Sequence, residues 1–236
     1  MRLVSKERPL NFYIEKEAER INSMERIICL LAGYLFGLIQ TGYLYGKAHK
    51  IDIRNHGSGN SGTTNALRVM GAKAGAVVFL GDFLKSLLPC LVVRLLFKDK
   101  PELIYVLMMY TGFGVILGHN YPFYLKFKGG KGIAATAGLI VATDLRMTLL
   151  CIVAFLSIVI ITRYVSLGSL VVAVILFAWL ALFATLGAYG LDQKLLPEFY
   201  IITAMISGLA FWRHRANVGR LVRGTENKIS LNFGKK

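Results

Sequence analysis

"VSLGSLVVAVILFAWLALFATLGAY", residues 165 to 189, contains no charged side chain in 25 positions. As a helix rising 1.5 Å per residue it exceeds the roughly 30 Å hydrocarbon layer of a bilayer. No soluble helix of ordinary size needs such a run. The stretches Ile27–Tyr45 and Leu103–Val115 are nearly as free of charge. Across all 236 residues 55% are hydrophobic and 17% charged, against about a quarter charged in soluble domains. The mean hydropathy is +0.56. The reading is all-α: a polytopic integral membrane protein with a polar N-terminal tail over 1–25 and a single transmembrane domain over 26–236. The tail is either a surface amphipathic helix or a solvated arm, and Ile27 onward is expected to be a retained span rather than a cleaved signal.

Seven spans are expected, near 26–46, 73–97, 102–123, 132–143, 147–162, 166–188 and 198–212. The fourth is the weak one, because about twelve residues do not cross an untilted bilayer. If it merges with the fifth, six spans remain and the C-terminal segment moves to the opposite face from the two earlier loops. The net charge is +15. In a soluble protein that would suggest nucleic acid, but here most cations sit in short loops between apolar runs. No nucleic-acid partner is expected. With seven spans, sixteen Lys and Arg fall on the inner segments and four on the outer loops, so the positive-inside rule puts the N-terminus outside and the C-terminus in the cytoplasm. Cys29, Cys90 and Cys151 lie inside apolar runs without a CxxC pair and read as small buried hydrophobes. No ligand cluster is visible, so no metal or cofactor is expected. Gly33/Gly37 and Gly42/Gly46 read as small-xxx-small packing positions.

Three polar segments then share one face. The first is "NHGSGNSGTTNALR", residues 55 to 68. Its glycines at 57, 59 and 62 free the backbone to turn its N–H groups toward an anion. Ser58, Thr64 and Asn65 add hydroxyl and amide groups, and Arg68 a permanently charged fork suited to phosphate. A plain flexible loop would have the same small residues but no reason to end in Arg at a helix start. The second is "FKGGKGIAAT", residues 127 to 136, where Gly129, Gly130 and Gly132 flank Lys131 at the start of the fourth span. Ammonium and helix N-terminus together form an anion site. The P-loop spacing is absent. The third is "RHRANVGRLVRGTENK", residues 213 to 228. On one helix Arg213, Asn217 and Arg220 share a face, and His214 lies three residues before Asn217. A lipid-headgroup patch explains the arginines but not the interleaved His and Asn. Asp82 and Lys85 stand mid-span at i,i+3, as a structural ion pair or as support for the site. Ser166 and Ser169 have the same spacing at the inner end of the sixth span. The three segments call for more than one phosphate.

"GSGNSGTTN" with Arg68, "GHNYPFYLKFKGGKG" and "RHRANVGRLVRGTENK" follow one another as in the acyl-phosphate-dependent glycerol-3-phosphate acyltransferase (PlsY) family, which the chain resembles over residues 33 to 228. Thr63 stands where that family usually has Ala, and Ser86 where Gly is common. The resemblance implies acyl transfer from acyl phosphate to the 1-hydroxyl of glycerol 3-phosphate, giving lysophosphatidic acid and phosphate. It implies a bacterial inner-membrane enzyme with its active site facing the cytoplasm, and the soluble enzyme that makes acyl phosphate as a partner. Ser58, Asn60, Thr64 and Asn65, with the N–H groups of the glycine loop, would hold the acyl-phosphate group and its oxyanion. Arg68 and Lys131 would neutralise phosphate, with Arg213 and Arg220 adding charge. His214 and Asn217 would orient glycerol 3-phosphate near Ser169 and Ser166, with His214 positioning first and acting as a base second. None of His49, His56, His119 or His214 has an Asp five residues on, which argues against the thioester-dependent class. The alternative from another class is a membrane anion or phosphate transporter, which would place ionisable groups near the midplane of several helices.

Overall fold

The computed structural model describes residues 10–229, with side chains from residue 23 onward. The described residues form ten α-helices and no strand: α1 Leu10–Gly37, α2 Thr41–Ala48, α3 Thr63–Met70, α4 Ala72–Leu96, α5 Pro101–Asn120, α6 Ile133–Thr143, α7 Leu145–Thr162, α8 Val165–Thr185, α9 Leu196–Arg213 and α10 Arg215–Val222. Six stretches among them are long and apolar enough to cross a membrane. The expected boundary at residues 25 and 26 falls inside α1, which begins at Leu10 and runs through it; residues 1–9 lie outside the described part.

α5 is the hub, with Val106 to Met109 and Thr111 to Ile116 all buried. α1 approaches it closely. A Cβ at Gly33 or Gly37 would collide with the carbonyls of Thr111 and Val115, and one at Gly114 or Gly118 with those of Leu30 and Tyr34. Glycine on both partners lets the two backbones touch, which is the packing the Gly33/Gly37 spacing leads one to expect. Gly42 and Gly46 serve α2 likewise, facing the Ser61 carbonyl and Ile53. Large apolar side chains such as Leu35, Leu95, Leu149 and Ile161 are exposed on the outside of the bundle, the inverse of a soluble protein and what a lipid surroundings requires.

The first expected span, 26–46, is not one helix. It breaks between Gly37 and Thr41, and side chains bind carbonyls there and at the facing end of α5. Gln40 Nε2 donates to the carbonyls of Gly37 (3.2 Å), Gly118 (3.2 Å) and His119 (3.1 Å), and Lys85 Nζ to that of Ile39 (2.6 Å). Such a break persists inside a membrane only where protein groups satisfy the backbone.

The fourth expected span is α6, a separate helix of 11 residues, about 16 Å long, that does not merge with α7. Gly132 precedes it at φ +84°, a left-handed conformation that suits glycine. Asp144 ends it in an extended conformation and caps α7, accepting from the N–H groups of Arg146 and Met147. At this length α6 is too short to cross a bilayer alone.

The third polar segment is not one helix either. α9 ends at Arg213, His214 is the link, and α10 restarts at Arg215. Arg213 therefore does not share a helical face with Asn217 and Arg220.

Candidate active site

All three polar segments meet at one cavity of about 530 Å³. Its polar wall includes Ser58, Gly59, Asn60, Thr64, Asn65 and Arg68 from the first segment, Lys131 and Gly132 from the second, and Arg213, His214, Asn217 and Arg220 from the third; Ser166 and Ser169 join from α8. Phe79, Phe155, Val159 and Ile133 continue the lining. The cavity thus pairs a cationic wall with an apolar one.

The first segment forms a loop fastened from within. Asn65, 1% exposed, accepts from Ser58 N–H at 2.8 Å and donates to the carbonyls of Ile53 (2.9 Å) and His56 (3.0 Å). Its amide builds the loop rather than offering itself to a ligand. Three backbone donors of the loop are used internally: Ser58 N–H on Asn65, Gly59 N–H on the His56 carbonyl (3.0 Å) and Gly62 N–H on Asn60 Oδ1 (2.9 Å). Among the described residues the N–H groups of Gly57, Asn60 and Ser61 have no acceptor, and at the start of α3 neither Thr63 nor Thr64 N–H has an intrahelical partner. Thr63 Oγ1 is buried there without a partner among the described residues. Arg68, one turn further on, is exposed and forms no ion pair among the described residues.

Gly57, Gly129 and Gly130 do not line the cavity. Gly57, at φ +60°, lies against the Asn65 amide. A Cβ at Gly129 would collide with the His119 carbonyl, and one at Gly130 with His119 Nε2. These glycines let the second segment fold back onto the end of α5, where Gly129 N–H donates to the Asn120 carbonyl (3.2 Å) and Gly130 N–H to that of His119 (3.1 Å). Arg213 locks the fold from the other side. Its Nη2 donates to the carbonyls of Gly129 (3.0 Å) and Gly130 (2.7 Å), and the guanidinium lies 5.0 Å from the Tyr121 ring centre. Arg213 shapes the lysine loop more than it offers charge to a ligand.

Lys131 donates to Asn217 Oδ1. Burial lowers the ammonium's pKa to about 8, against the pull of Glu226 and with Arg220 and Arg213 adding to the decrease. A cation held in this way gains from an anionic ligand. His214 is buried and its Nδ1 lies 2.8 Å from the Ala210 carbonyl. A carbonyl only accepts, so Nδ1 carries the proton. Burial first, and then the charge of Lys131, lowers this pKa to about 4, leaving the ring neutral at pH 7 with a lone pair on Nε2. Ser169 Oγ donates to the Val165 carbonyl (2.9 Å), one turn back in its own helix.

Glu226 is the residue the sequence reading missed. Its side chain is 6% exposed; Oε1 accepts from Asn217 Nδ2 (2.8 Å) and Ser166 Oγ (3.0 Å), and Oε2 from Arg220 Nε (2.8 Å). It ties α8 and α10 together under the cations. The Gly-Thr-Glu that closes the third segment was the available signal. The buried group of Asp82, Lys85 and His119 was half visible, as the i,i+3 pair alone. Asp82 and His119 also reach the cavity wall.

The family model for glycerol-3-phosphate acyltransferase matches residues 27–224. Among curated proteins, the glycerol-3-phosphate acyltransferase of Shouchella clausii is 43% identical over 206 residues, 86% of this chain and 95% of its own. That of Thermoanaerobacter pseudethanolicus is 36% identical over 207 residues, 87% of this chain and 96% of its own. Two crystal structures of PlsY, an integral membrane glycerol 3-phosphate acyltransferase, share the fold. The glycerol 3-phosphate form gives a TM-score of 0.74 at 33% identity, covering 87% of this chain and 96% of that one. The lysophosphatidic acid form gives 0.73 at 32%, covering 88% and 97%.

Proposed function

Because this chain belongs to the glycerol-3-phosphate acyltransferase family, and is thus an acyltransferase, we propose that its acyl donor is an acyl phosphate and its product lysophosphatidic acid. The observation that carries this reading is the single cavity with a cationic wall built from three loops and an apolar wall from α4, α6 and α7. Two phosphorylated head groups and one fatty chain need both.

The reaction breaks the acyl C–O bond to phosphate and forms an ester to the glycerol hydroxyl, whose proton leaves with the phosphate. The donor is already activated, so the protein's task is positioning and charge. Arg68 and the free N–H groups of Thr63 and Thr64 face the acyl-phosphate group, with Ser58 beside its carbonyl. Lys131, Arg220 and Asn217 hold glycerol 3-phosphate. His214 Nε2 accepts from the attacking hydroxyl; a ring with so low a pKa orients it well and removes its proton poorly, so the donor's own phosphate oxygen is the better base. Phe79, Phe155 and Val159 receive the chain. The start of α6 just after Lys131 supports this placement, because the helix N-terminus adds to the ammonium's attraction for an anion. The cationic segments gathered at this cavity support a cytoplasmic-facing site in the bacterial inner membrane, supplied by the soluble enzyme that makes acyl phosphate.

The test offers purified protein glycerol 3-phosphate with palmitoyl phosphate, palmitoyl-CoA or a palmitoyl carrier-protein thioester and measures lysophosphatidate. Turnover is expected with the acyl phosphate alone. Turnover restricted to a thioester would overturn the donor assignment, and none with all three would overturn the reading.

A further inference from the structure

The buried group behind the lysine loop is more than a neutralised ion pair. Lys85 Nζ lies 2.6 Å from the Ile39 carbonyl, 2.8 Å from Asp82 Oδ1 and 2.8 Å from His119 Nδ1. An ammonium has three donors and no acceptor, and here each donor has one acceptor. His119 Nδ1 must therefore accept, which puts the ring's proton on Nε2. Asp82 Oδ1 lies 3.6 Å from Nδ1, too far to compete. Thr41 Oγ1 donates to the same carboxylate oxygen at 3.1 Å and holds it in place.

The ring cannot swing away. The His119 carbonyl accepts from Gly130 N–H and from Gln40 Nε2, both at 3.1 Å. Gly130 lies against Nε2 so closely that a methyl group there would overlap it. His119 is 3% exposed and borders the cavity beside Lys131 and Gly132. Its Nε2 forms no hydrogen bond among the described residues. The next residue, Asn120, is wholly buried with both amide atoms unpartnered among the described residues, and its amide lies against Gly132. Two successive side chains at the end of α5 thus hold unused hydrogen-bonding groups beside the lysine loop. Buried groups of this kind are normally paired.

We propose that His119 is a further substrate-binding residue, which presents its Nε2–H to a phosphoryl oxygen of a ligand at the Lys131 loop, and that Lys85 is a positioning residue that fixes the donor tautomer. The proposal rests on the function assigned above, in which both substrates carry a phosphoryl group. It gives the Asp82–Lys85 pair a purpose and gives the break in the first span a second one. The unwound Ile39 carbonyl supplies one of the three acceptors that aim the ammonium at His119.

The test uses the full chain in nanodiscs with ¹⁵N-labelled histidine, the His119 resonances being assigned by difference against His119→Gln. At pH 7 the neutral Nε2–H form is expected, and its Nε2 signal shifts on titration with glycerol 3-phosphate or with a non-hydrolysable acyl phosphonate. Whichever ligand moves it names the source of the phosphoryl oxygen. His119→Phe, which fills the space without a donor, raises the KM of that same substrate about tenfold to a hundredfold, the range for a hydrogen bond to a charged group. His119→Gln keeps a donor and recovers most of the loss. In Lys85→Met, Nδ1 is free to donate to Asp82, so the resonances change to the Nδ1–H form and KM rises as in His119→Phe. An Nδ1–H form in the unaltered protein overturns the proposal. So does an Nε2 signal that neither ligand moves, or a fall in kcat with both KM values unchanged. Absence of turnover in the unaltered protein would refute the activity instead, and titration with inorganic phosphate would then decide for or against His119.

Discussion

Where α6 meets α7, Asp144 is buried with every oxygen engaged. Oδ1 accepts from the backbone N–H of Arg146 (2.8 Å), and Oδ2 from Arg146 Nη2 (2.9 Å), Trp179 Nε1 (3.2 Å) and Tyr189 OH (3.2 Å). At the other end of α6 the polar groups are as numerous but only partly used. Arg68 has no ion-pair partner among the described residues, Arg220 reaches Glu226 through Nε alone, and Lys131 donates to a neutral amide. Both ends pin a break in a short helix, yet one is saturated and the other is open. A saturated polar cluster stabilises the fold. An open one, with cations facing a cavity, is stable only in so far as something else completes it.

The largest difference between the two ends should come from removing one group at each. Lys131→Met takes away the cation that the site holds against burial. We expect kcat/KM for glycerol 3-phosphate to fall roughly a hundredfold to a thousandfold, the range for truncating one partner of a desolvated charge contact. The melting temperature without ligand should not fall, because the lost ammonium was poorly placed in the empty protein. A large stability loss with activity kept per folded molecule would erase the contrast. Asp144→Ala should do the reverse. It removes the cap of α7 and strands the Trp179 and Tyr189 donors, costing about 2–4 kcal/mol of stability. The kcat/KM of the folded fraction should change little.

The contrast also explains what the sequence made legible. Charge-free runs indicated the class of fold, and the glycine spacing in α1 indicated a close helix contact though not its partner α5, because both depend on local composition. The break at Gln40 was hidden, since what stabilises it comes from Gly118, His119 and Lys85, far away in the chain. Likewise the three polar segments stood out by their residue types and do line one cavity, but their sequence did not show which groups face it. Asn65 and Arg213 look like ligands in the sequence and turn out to be fastened to the loops. Glu226 looks like an ordinary exposed acid after a glycine and turns out to be central. A sequence shows which hydrogen-bonding groups exist, and only the fold shows which are already taken.

A finer test of the open end is its pH dependence. Burial lowers the Lys131 pKa to about 8 from the ordinary lysine range. The cationic form, which binds phosphate, is complete below that value and is lost above it. Accordingly kcat/KM for glycerol 3-phosphate should decline as pH rises through about 8, approaching tenfold per unit. Lys131→Arg, charged throughout, should remove this limb even if its activity is lower. His214 works in the opposite direction, because its neutral form is the useful one and its pKa is lowered to about 4. No acid limb from His214 should appear between pH 5.5 and 7, by contrast with an unperturbed histidine titrating near 6.5. A limb at about 6.5 that vanishes in His214→Asn would show that the ring is far more open than its surroundings here.

The smallest effect separates two hydroxyls one helical turn apart. Ser166 Oγ donates to Glu226 and helps hold the carboxylate that orders Asn217 and Arg220. Ser169 Oγ donates to the carbonyl four residues back and, among the described residues, has no partner across the cavity. Both line the same wall, and their spacing alone does not rank them. Removing Ser166 should loosen the network under the cations and raise the KM for glycerol 3-phosphate about fivefold to tenfold, less than a full hydrogen bond to a charged group because Ser166 acts through Glu226 rather than on the ligand. Ser169→Ala deletes a bond that helix hydroxyls make anywhere, so its effect should stay within about threefold in both kcat and KM. Steady-state kinetics of the two single variants and the double variant decide the matter. If Ser169→Ala proves the worse of the pair, its hydroxyl must leave the Val165 carbonyl when substrate arrives, and the saturated-versus-open distinction would fail at the one place where it was drawn from a single hydrogen bond.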